Sequence, residues 1–311
     1  MSSESPADPG WISARPTRAV EVLERLVSFP FLLARHRDLV STSVRRGLEA
    51  RFQGTLFGWV WPLVQPLFLF AVYYFIFTKL LHQRIPDLPA GEESALGVYM
   101  FVGLLTWSGF AEATLHGTNV IVENGNLIKK LTFPSELLPL NVTLVAQVTQ
   151  VFGLLAFVLL CLFSPIWPAP GPGLLWVPVL LLLQGLFTFG LALFLSTLQV
   201  FLRDTLQFVG ILLTLWMFAT PIFWVPELTP PEALDPYRWL FDGNPIYHLV
   251  CAWRGALMGD VLIPGRVPPI HAVSVAGIPH AVLVFALWAL LAYVLGYTFF
   301  VLSQRRFADE V

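Results

Sequence analysis

Glu112 and His116 stand four residues apart in a stretch that carries no other charged residue between positions 94 and 122. Residues at this spacing share one face of a helix, so a carboxylate and an imidazole there could pass a proton between them. The alternative is that both side chains lie near a helix end, where polar groups reach water at small cost. We favour the second interpretation, and the proton relay stays open.

Other residue patterns that would support catalysis are missing from the 311-residue sequence. A phosphate-binding loop needs a lysine directly after a glycine, and none of the three lysines has one before it. There is no Gly-x-Ser-x-Gly elbow, His-Glu-x-x-His helix or Cys-x-x-Cys pair, and Cys161 and Cys251 lack the spacing of metal ligands. We expect this chain to contain no catalytic residue and to bind no metal or cofactor.

The composition indicates which solvent surrounds the chain. Hydrophobic residues make up 56% and charged residues 12%, with a mean hydropathy of +0.72, whereas soluble domains carry about 25% charged residues. A net charge of −2 leaves no concentrated basic face for phosphates, so we expect no nucleic-acid partner. The sequence predicts an integral membrane protein in contact with membrane lipids.

Long uncharged runs mark the segments that cross the bilayer. A helix needs roughly 20 apolar residues to cross a hydrocarbon core about 30 Å thick. Residues 137–202 contain no Asp, Glu, Lys or Arg and are interrupted by a turn rich in Pro and Gly, which predicts a helical hairpin. The predicted fold is an all-α, polytopic membrane protein with six transmembrane helices near residues 58–81, 95–118, 137–163, 174–202, 205–226 and 281–302.

Basic residues are distributed unevenly between the two sides of these helices. Eight arginines precede the first span, two lysines lie between spans two and three, Arg203 follows span four and two arginines follow span six, which makes 13 of the 18 basic residues. Positively charged loops tend to stay in the cytoplasm. Both termini are therefore predicted to be cytoplasmic.

The N-terminal residues are predicted to lie outside the membrane-spanning domain, which we place at 58–311. Residues 1–17, rich in Ser, Pro and Ala, are typical of a disordered cytoplasmic tail. In the cytoplasmic and interfacial region 18–57, residues 38–53 repeat apolar side chains at steps of four among arginines, which predicts an amphipathic interface helix. This helix either anchors the chain on the membrane, the interpretation we favour, or docks a cytoplasmic partner.

The loop after the fifth span contains a helix start. Asn244 followed by Pro245 is a favourable beginning, and apolar residues recur every three to four positions up to Leu257. This helix either packs against its own bundle or forms a lid over an exit pathway.

Aromatic side chains on the first and fifth spans are the remaining candidates for binding. Trp and Tyr usually form belts at the membrane interface, but rings that line a pore would offer sliding contacts to sugars. The residues concerned are Trp59, Trp61, Tyr73, Tyr74, Trp216, Phe223 and Trp224.

Several stretches resemble one family, the type-2 ABC exporter permeases that move lipid-linked O-antigen, capsular polysaccharide or teichoic acid. Residues 46–62 are similar to the family's approach to its first span, and residues 126–134 resemble its cytoplasmic coupling segment. The C-terminal half repeats family motifs in order, with Phe-Leu-Arg-Asp at 201–204, Thr-Pro-Ile at 220–222, Asn-Pro at 244–245 and Arg-Phe-Ala-Asp-Glu at 306–310. Departures from the pattern are Gly47, Phe52, Thr55 and Ser135.

The resemblance implies a homodimer in the bacterial inner membrane, with a channel for lipid-linked polysaccharide between two copies. Two cytoplasmic ABC ATPase subunits would bind ATP and Mg, and this chain would be no enzyme. The residues that the resemblance assigns to ATPase coupling are Arg45, Arg46, Arg51, Phe52, Lys129, Lys130, Phe133, Pro134 and Glu136. External gate helices would lie between spans five and six and include Asn244, Pro245, Trp253 and Arg254, and the seven aromatic residues above would line the sugar path.

Three other functions stay open from the sequence. A type-2 exporter of a lipid or a drug would share this architecture. A proton-coupled carrier would use Glu112 and His116. A membrane enzyme acting on lipid-linked sugars would need carboxylates such as Asp235, Asp242 and Asp260, although a flexible solvated loop accounts for these aspartates better.

Overall fold

The computed structural model describes residues 19–54, 58–80, 95–130, 134–163, 171–229, 231–263 and 270–311. The predicted tail at 1–17 and Phe133 lie outside these residues. The side chains of Phe52, Trp59 and Lys130 also lie outside the description, so the roles predicted for them stay predictions.

Helices dominate the described chain. They are α1 (Ala19–Arg35), α2 (Arg37–Phe52), α3 (Trp61–Tyr73), α4 (Ala95–Glu123), α5 (Gly125–Lys130), α6 (Leu137–Phe163), α7 (Val177–Phe201), α8 (Thr205–Ala219), α9 (Pro231–Leu234), α10 (Arg238–Asp242), α11 (Pro245–Met258), α12 (Ile278–Ser303) and α13 (Phe307–Glu310). A π-helical segment, Tyr74–Leu80, continues α3, and a 3-10 turn, Pro172–Trp176, precedes α7.

Four helical segments are long and apolar enough to cross a membrane. They are Ala95–Glu123, Leu137–Phe163, Pro172–Phe201 and Ile278–Arg306, and they match predicted spans two, three, four and six. Two shorter apolar helices, Trp61–Phe77 and Thr205–Ala219, lie at the positions of predicted spans one and five. The chain is a helical, multi-pass membrane protein, and the count of six crossings stays a prediction.

The fifth predicted span is longer than the helix found there. The apolar run continues to residue 226, but α8 ends at Ala219 and Thr220 adopts an extended conformation with ψ of 131°. The cause is Pro221, because a proline ring clashes with a helical conformation of the residue before it. The apolar residues that follow still contribute to the core, since Ile222 and Val225 are buried.

The core is built around α4, which is buried along most of its length. The helices α3, α6, α7, α8 and α11 pack around it, and α12 packs against α7 and α11. We name the end of this bundle that carries α2, α5 and α13 the basic end. The opposite end, which carries α9 to α11 and the two strands, we name the loop end.

A helix that the sequence pattern did not separate from its neighbour precedes the amphipathic helix. In α1, Phe29 stacks on Phe189 of α7 with ring centroids 5.3 Å apart. Two tyrosines of α12 donate to carbonyl oxygens of α1, Tyr293 to Leu26 at 3.3 Å and Tyr297 to Arg25 at 3.4 Å. The N-terminal region is thus docked on the bundle through its first helix.

A small β-hairpin adds to the helical fold at the loop end. Strands β1 (Val261–Ile263) and β2 (Ile270–Val273) pair antiparallel, with Val261 opposite Val273. The all-α prediction did not include these strands, because three or four residues give too short a pattern of alternation to detect. Val261 and Val273 are buried, so the hairpin caps part of the core.

Candidate functional site

An ion pair at the basic end connects three helices. Arg51, in the last turn of α2, donates from Nη1 and Nη2 to the two carboxylate oxygens of Glu112 on α4, with the Nη2 to Oε2 distance 3.1 Å. The same Nη1 donates to Thr149 Oγ1 on α6 at 3.3 Å. Bidentate guanidinium–carboxylate pairs fix orientation as well as distance. The amphipathic helix is therefore tied by its C-terminal end to the central helix of the bundle.

The partner of Glu112 changes the interpretation of Glu112 and His116. Both carboxylate oxygens of Glu112 accept from Arg51, while His116 is exposed. A proton relay needs the carboxylate and the imidazole to face each other or a shared water. The geometry favours a structural ion pair at Glu112 over a proton relay.

A cavity of about 100 Å³ opens beside this ion pair. Its lining combines the pair with amides, hydroxyls and apolar side chains of α3, α4 and α6. Those residues are Arg51, Pro62, Gln65, Pro66, Leu69, Phe101, Leu105, Ser108, Gly109, Glu112, Ala146, Thr149 and Gln150. The bundle thus keeps a cavity between the helices at the positions of the first three predicted spans.

The other residues predicted to contact an ATPase lie mostly at the surface of the basic end. Arg45 donates to Glu49 one helical turn away at 2.8 Å, and Arg46 and Lys129 are exposed. Pro134 is partly exposed, whereas Glu136 is buried, with 8% of its surface exposed. Exposed cations are available to a partner, but Glu136 in this conformation is not.

The C-terminal residues share this surface, a contact that no sequence pattern predicts. Arg203 donates from Nη2 to the carbonyl oxygen of Glu310 at 2.9 Å. A side chain at Gly125, the first residue of α5, would overlap the side chain of Val311. The predicted coupling segment therefore lies directly beside the end of the chain.

At the loop end, Asn244 connects α11 to α8. Its Oδ1 caps α11 by accepting from the backbone N–H of Ile246 at 3.0 Å, and it also accepts from Trp216 Nε1 at 2.8 Å. Its Nδ2 donates to Thr220 Oγ1 at 2.9 Å. One predicted gate residue and one predicted channel aromatic, Trp216, are thus in direct contact.

Trp253 belongs to a buried polar chain across the bundle. Its Nε1 donates to Gln184 Oε1 on α7 at 3.0 Å. The amides of Gln184 and Gln150 on α6 donate to each other at 2.7 and 3.1 Å. Neither glutamine is among the residues predicted from the sequence. An amide within an uncharged apolar run is a detectable signal, because a buried amide needs hydrogen-bond partners.

Arg254 is a large charged side chain buried at the loop end, with 1% of its surface exposed. Its guanidinium lies over the ring of Tyr99 with 3.3 Å to the centroid, and it donates to the carbonyl oxygens of Tyr99 and Ile222, both at 3.2 Å. Nη1 has no hydrogen-bond partner among the described residues. It borders a second cavity, of about 160 Å³, between α4, α11 and the start of α12.

Most of the predicted channel aromatics contact a neighbouring aromatic ring. Tyr73 lies 5.9 Å from Phe223 between ring centroids, which joins α3 to the segment after α8. Tyr74 stacks on Phe70, and Trp224 packs against Phe241. Trp61 is partly buried. Trp216 packs against Trp107 and Phe110, so its partly buried indole ring lies against the core.

One face of α8 is left exposed along its whole length. Five large apolar side chains at helical spacing are each 58–64% exposed: Phe208, Ile211, Leu212, Leu215 and Phe218. The α12 helix also exposes leucines, such as Leu287 and Leu295. An apolar surface of this kind needs either lipid or protein against it.

No group of three or more His, Cys, Asp or Glu side chains that could hold a metal ion occurs in the described ranges. The three aspartates considered for an enzyme have separate surroundings. Asp235 pairs with Arg238 at 3.7 Å, and Asp260 accepts from the backbone N–H of Val275 at 2.8 Å. The backbone carbonyl oxygen of Asp242 accepts a hydrogen bond from Nε2 of His248 at 3.0 Å.

Comparison with known proteins gives this arrangement a family context. The family described as ABC-2 type transporter matches residues 38–258. An O-antigen export system permease protein RfbA from Myxococcus xanthus is 30% identical over 257 residues, which is 83% of this chain and 91% of that protein. A protein of the same name from Klebsiella pneumoniae is 27% identical over 226 residues, 72% of this chain and 82% of that protein.

The matched range begins at α2 and ends at the last residue of α11. It includes Arg51 and its partner Glu112, and also Asn244 and Arg254. Members of the family are membrane components of transporters and work with an ABC ATPase. From the match to its helices and the relatives that cover most of its length, we conclude that this chain belongs to the ABC-2 type transporter family and is a permease subunit.

Proposed function

We propose that the chain is the transmembrane subunit of an ATP-driven exporter that moves lipid-linked polysaccharide across the bacterial inner membrane. Two copies form the channel, and two cytoplasmic ABC ATPase subunits bind ATP and Mg. Both termini lie in the cytoplasm. The named function of the relatives, O-antigen export, supports the substrate class.

The observation that carries the ATP-driven mechanism in this proposal is the ion pair between Arg51 and Glu112. A separate motor moves a permease only if force reaches the spans from a surface segment. The pair provides such a connection, because α2 is exposed along one side and is fixed to the central helix α4 at its end. Rigid-body movement of packed helices is an established way to propagate such a displacement.

The exposed face of α8 supports the homodimer. Lipid and a second copy would both cover apolar side chains. In this proposal α8 and α3 meet the second copy, and the leucines of α12 face lipid. A cysteine pair test separates the two. In a cysteine-free background, Leu215→Cys is expected to cross-link two copies, whereas Leu287→Cys on α12, which is similarly exposed, is not.

Co-purification with the ATPase tests the proposed function as a whole. The permease is expected to form a stable complex with an ABC ATPase in mild detergent, and the ATPase rate of that complex is expected to depend on the permease. In cells, deletion of the gene should remove the polysaccharide from the surface and leave its lipid-linked precursor inside. Normal surface polysaccharide in the deletion strain would contradict the substrate.

An exporter of a lipid or a drug is the second candidate, since the family and the ion pair fit it equally well. Accumulation of a polysaccharide precursor is the outcome that separates the two. A proton-coupled carrier predicts that Glu112→Gln abolishes transport while loss of the ATPase does not. The ion pair of Glu112 with Arg51 favours the ATP-driven exporter.

A further inference from the structure

The cavity at the loop end contains two buried polar atoms without hydrogen-bond partners. One is Nη1 of Arg254, and the other is Oε2 of Glu227, which lies in the 3-10 turn after α8. Both residues line the same cavity of about 160 Å³. Within the described chain no ion pair joins them. Burying a polar atom without a hydrogen-bond partner costs free energy. An unpaired donor and an unpaired acceptor that line one cavity therefore point to a bound ligand.

The two unpaired atoms restrict the chemistry of that ligand. A carboxylate would satisfy Arg254 but would be repelled by an ionised Glu227, and an ammonium group would be repelled by Arg254. A hydroxyl group both donates and accepts, so hydroxyl groups can serve both atoms at once. A neutral ligand that carries hydroxyl groups is therefore complementary to both atoms.

The rest of the lining fits a ring that carries several hydroxyl groups. Tyr247 offers aromatic surface, whereas one face of the Tyr99 ring is covered by Arg254, and Ser274 offers a further hydroxyl. A volume of about 160 Å³ has room for on the order of five water molecules, which is also the scale of one sugar ring. Val273 and Gly277 complete the wall without adding a charge.

We propose that this cavity binds one sugar residue through Arg254 and Glu227. None of the predicted channel aromatics lines this cavity, and one predicted gate residue, Arg254, does. The choice of a sugar among hydroxyl compounds rests on the proposed function. The fit of a neutral hydroxyl ligand rests only on the two unpaired atoms.

Binding there would also join three parts of the loop end. Glu227 belongs to the segment after α8, Arg254 to α11, and Ser274 to the residues between β2 and α12. A sugar that contacts all three would hold the predicted gate helix against its neighbours. Occupation of the site is therefore expected to stabilise one arrangement of the gate.

The thiol of Cys251, which lines the same cavity, allows a direct test. The full permease–ATPase complex is treated with methyl methanethiosulfonate, and modification of Cys251 is followed by mass spectrometry. The probes are D-mannose, D-galactose, L-rhamnose and N-acetylglucosamine, with sodium acetate as the anionic comparison. Modification is expected to slow about threefold at a sugar concentration of twice the dissociation constant, since protection equals 1 + [L]/Kd.

Two variants assign the effect to the cavity. Glu227→Gln is expected to weaken protection by sugars, and Asp235→Asn, an exposed residue outside the cavity, should leave it unchanged. If Glu227→Gln lowers the folding yield, Ser274→Ala gives the same test with a smaller change. Protection by acetate and not by sugars, or by none of the probes, would overturn the proposal, the second result indicating water alone.

The same experiment separates this site from the proposed function. Absence of protection together with ATP-dependent export of polysaccharide would refute the sugar site and leave the exporter standing. Protection of Cys251 in a strain whose surface polysaccharide does not depend on the gene would refute the exporter assignment and leave a sugar site.

Discussion

Gly190 on α7 and Gly296 on α12 face each other so closely that a methyl group on Gly296 would overlap the carbonyl oxygen of Gly190. A side chain at Gly190 would likewise meet the backbone of Ala292 and Tyr293. Two helices with membrane-spanning length thus pack backbone against backbone, which small residues permit.

The first prediction follows from this contact. Gly296→Ala should destabilise the permease by about 1–3 kcal/mol, because overpacking between two backbones cannot be relieved by rotating a side chain. The matched control is Gly210→Ala on α8, where a methyl group meets nothing within 4 Å. Thermal unfolding of the purified protein in detergent measures both. Equal stability of the two variants would contradict the contact.

The second prediction concerns force transmission through Arg51. A partly exposed ion pair contributes at most about 1 kcal/mol to folding, so Arg51→Gln is expected to fold. ATP hydrolysis by the complex should continue while export falls, because α2 is no longer fixed to α4. Arg238→Gln, a paired and exposed arginine at the loop end, is the control that should export normally.

Exchange of the two charges sharpens this test. In the double variant Arg51→Glu with Glu112→Arg, the pair can form again in reverse. Export is expected to recover in part relative to either single variant. If the single variants export as well as the wild type, the pair does not transmit force.

The third prediction concerns the contact between α8 and α11. Asn244→Ala removes the N-cap of α11, which costs about 1 kcal/mol, and leaves Trp216 Nε1 without its acceptor. Asn244→Ser keeps a capping oxygen and should lose less stability. Thermal unfolding followed by tryptophan fluorescence reports both effects. The order wild type, Ser, Ala is expected, and Ala as stable as Ser would contradict the role of the cap.

The fourth prediction is a pH dependence that comes from Glu227. Burial raises the pKa of this carboxyl above its ordinary value of 4.5, and the nearby charge of Arg254 opposes that rise. Above pH 4.5 the unfolded chain releases the proton while the folded chain still holds it, so the stability of the folded state falls as pH rises towards the raised pKa. Glu227→Gln has no proton to release.

The measurement is the difference in unfolding temperature between Glu227→Gln and the wild type. This difference is expected to grow in favour of the variant from pH 4.5 upwards and to become constant once the pH exceeds the raised pKa. Comparison at each pH removes the contribution of the other titrating groups. A difference that does not change with pH would show that Glu227 is not buried in the folded protein.

Sequence reasoning reached the features that are encoded locally. Hydropathy is a property of consecutive residues, so the helical segments were found at all six predicted positions. The cap at Asn244 was found for the same reason, since the capped N–H groups lie two and three residues ahead. The end of α8 was misplaced because Pro221 stops the helix while the apolar run continues.

Contacts between residues far apart in the sequence could not be predicted from the sequence. Arg51 and Glu112 are 61 positions apart, and Gln150 and Gln184 are 34 apart, so no period in the sequence relates them. The sequence pairs Glu112 with His116 because the two are one helical turn apart. In the structure the partner of Glu112 is Arg51, which lies on another helix. The cavity beside Arg254 depends on four segments of the chain and has no local signature at all.

The position of Val311 has a practical consequence for anyone who purifies this protein. Because Val311 packs against Gly125 at the start of α5, any residues that follow Val311, such as an affinity tag, start beside the segment predicted to meet the ATPase. A tag there would compete with the ATPase for that surface. The resulting loss of binding could be mistaken for a failure of the two subunits to associate. The complex is better captured through the ATPase or through a tag placed ahead of α1.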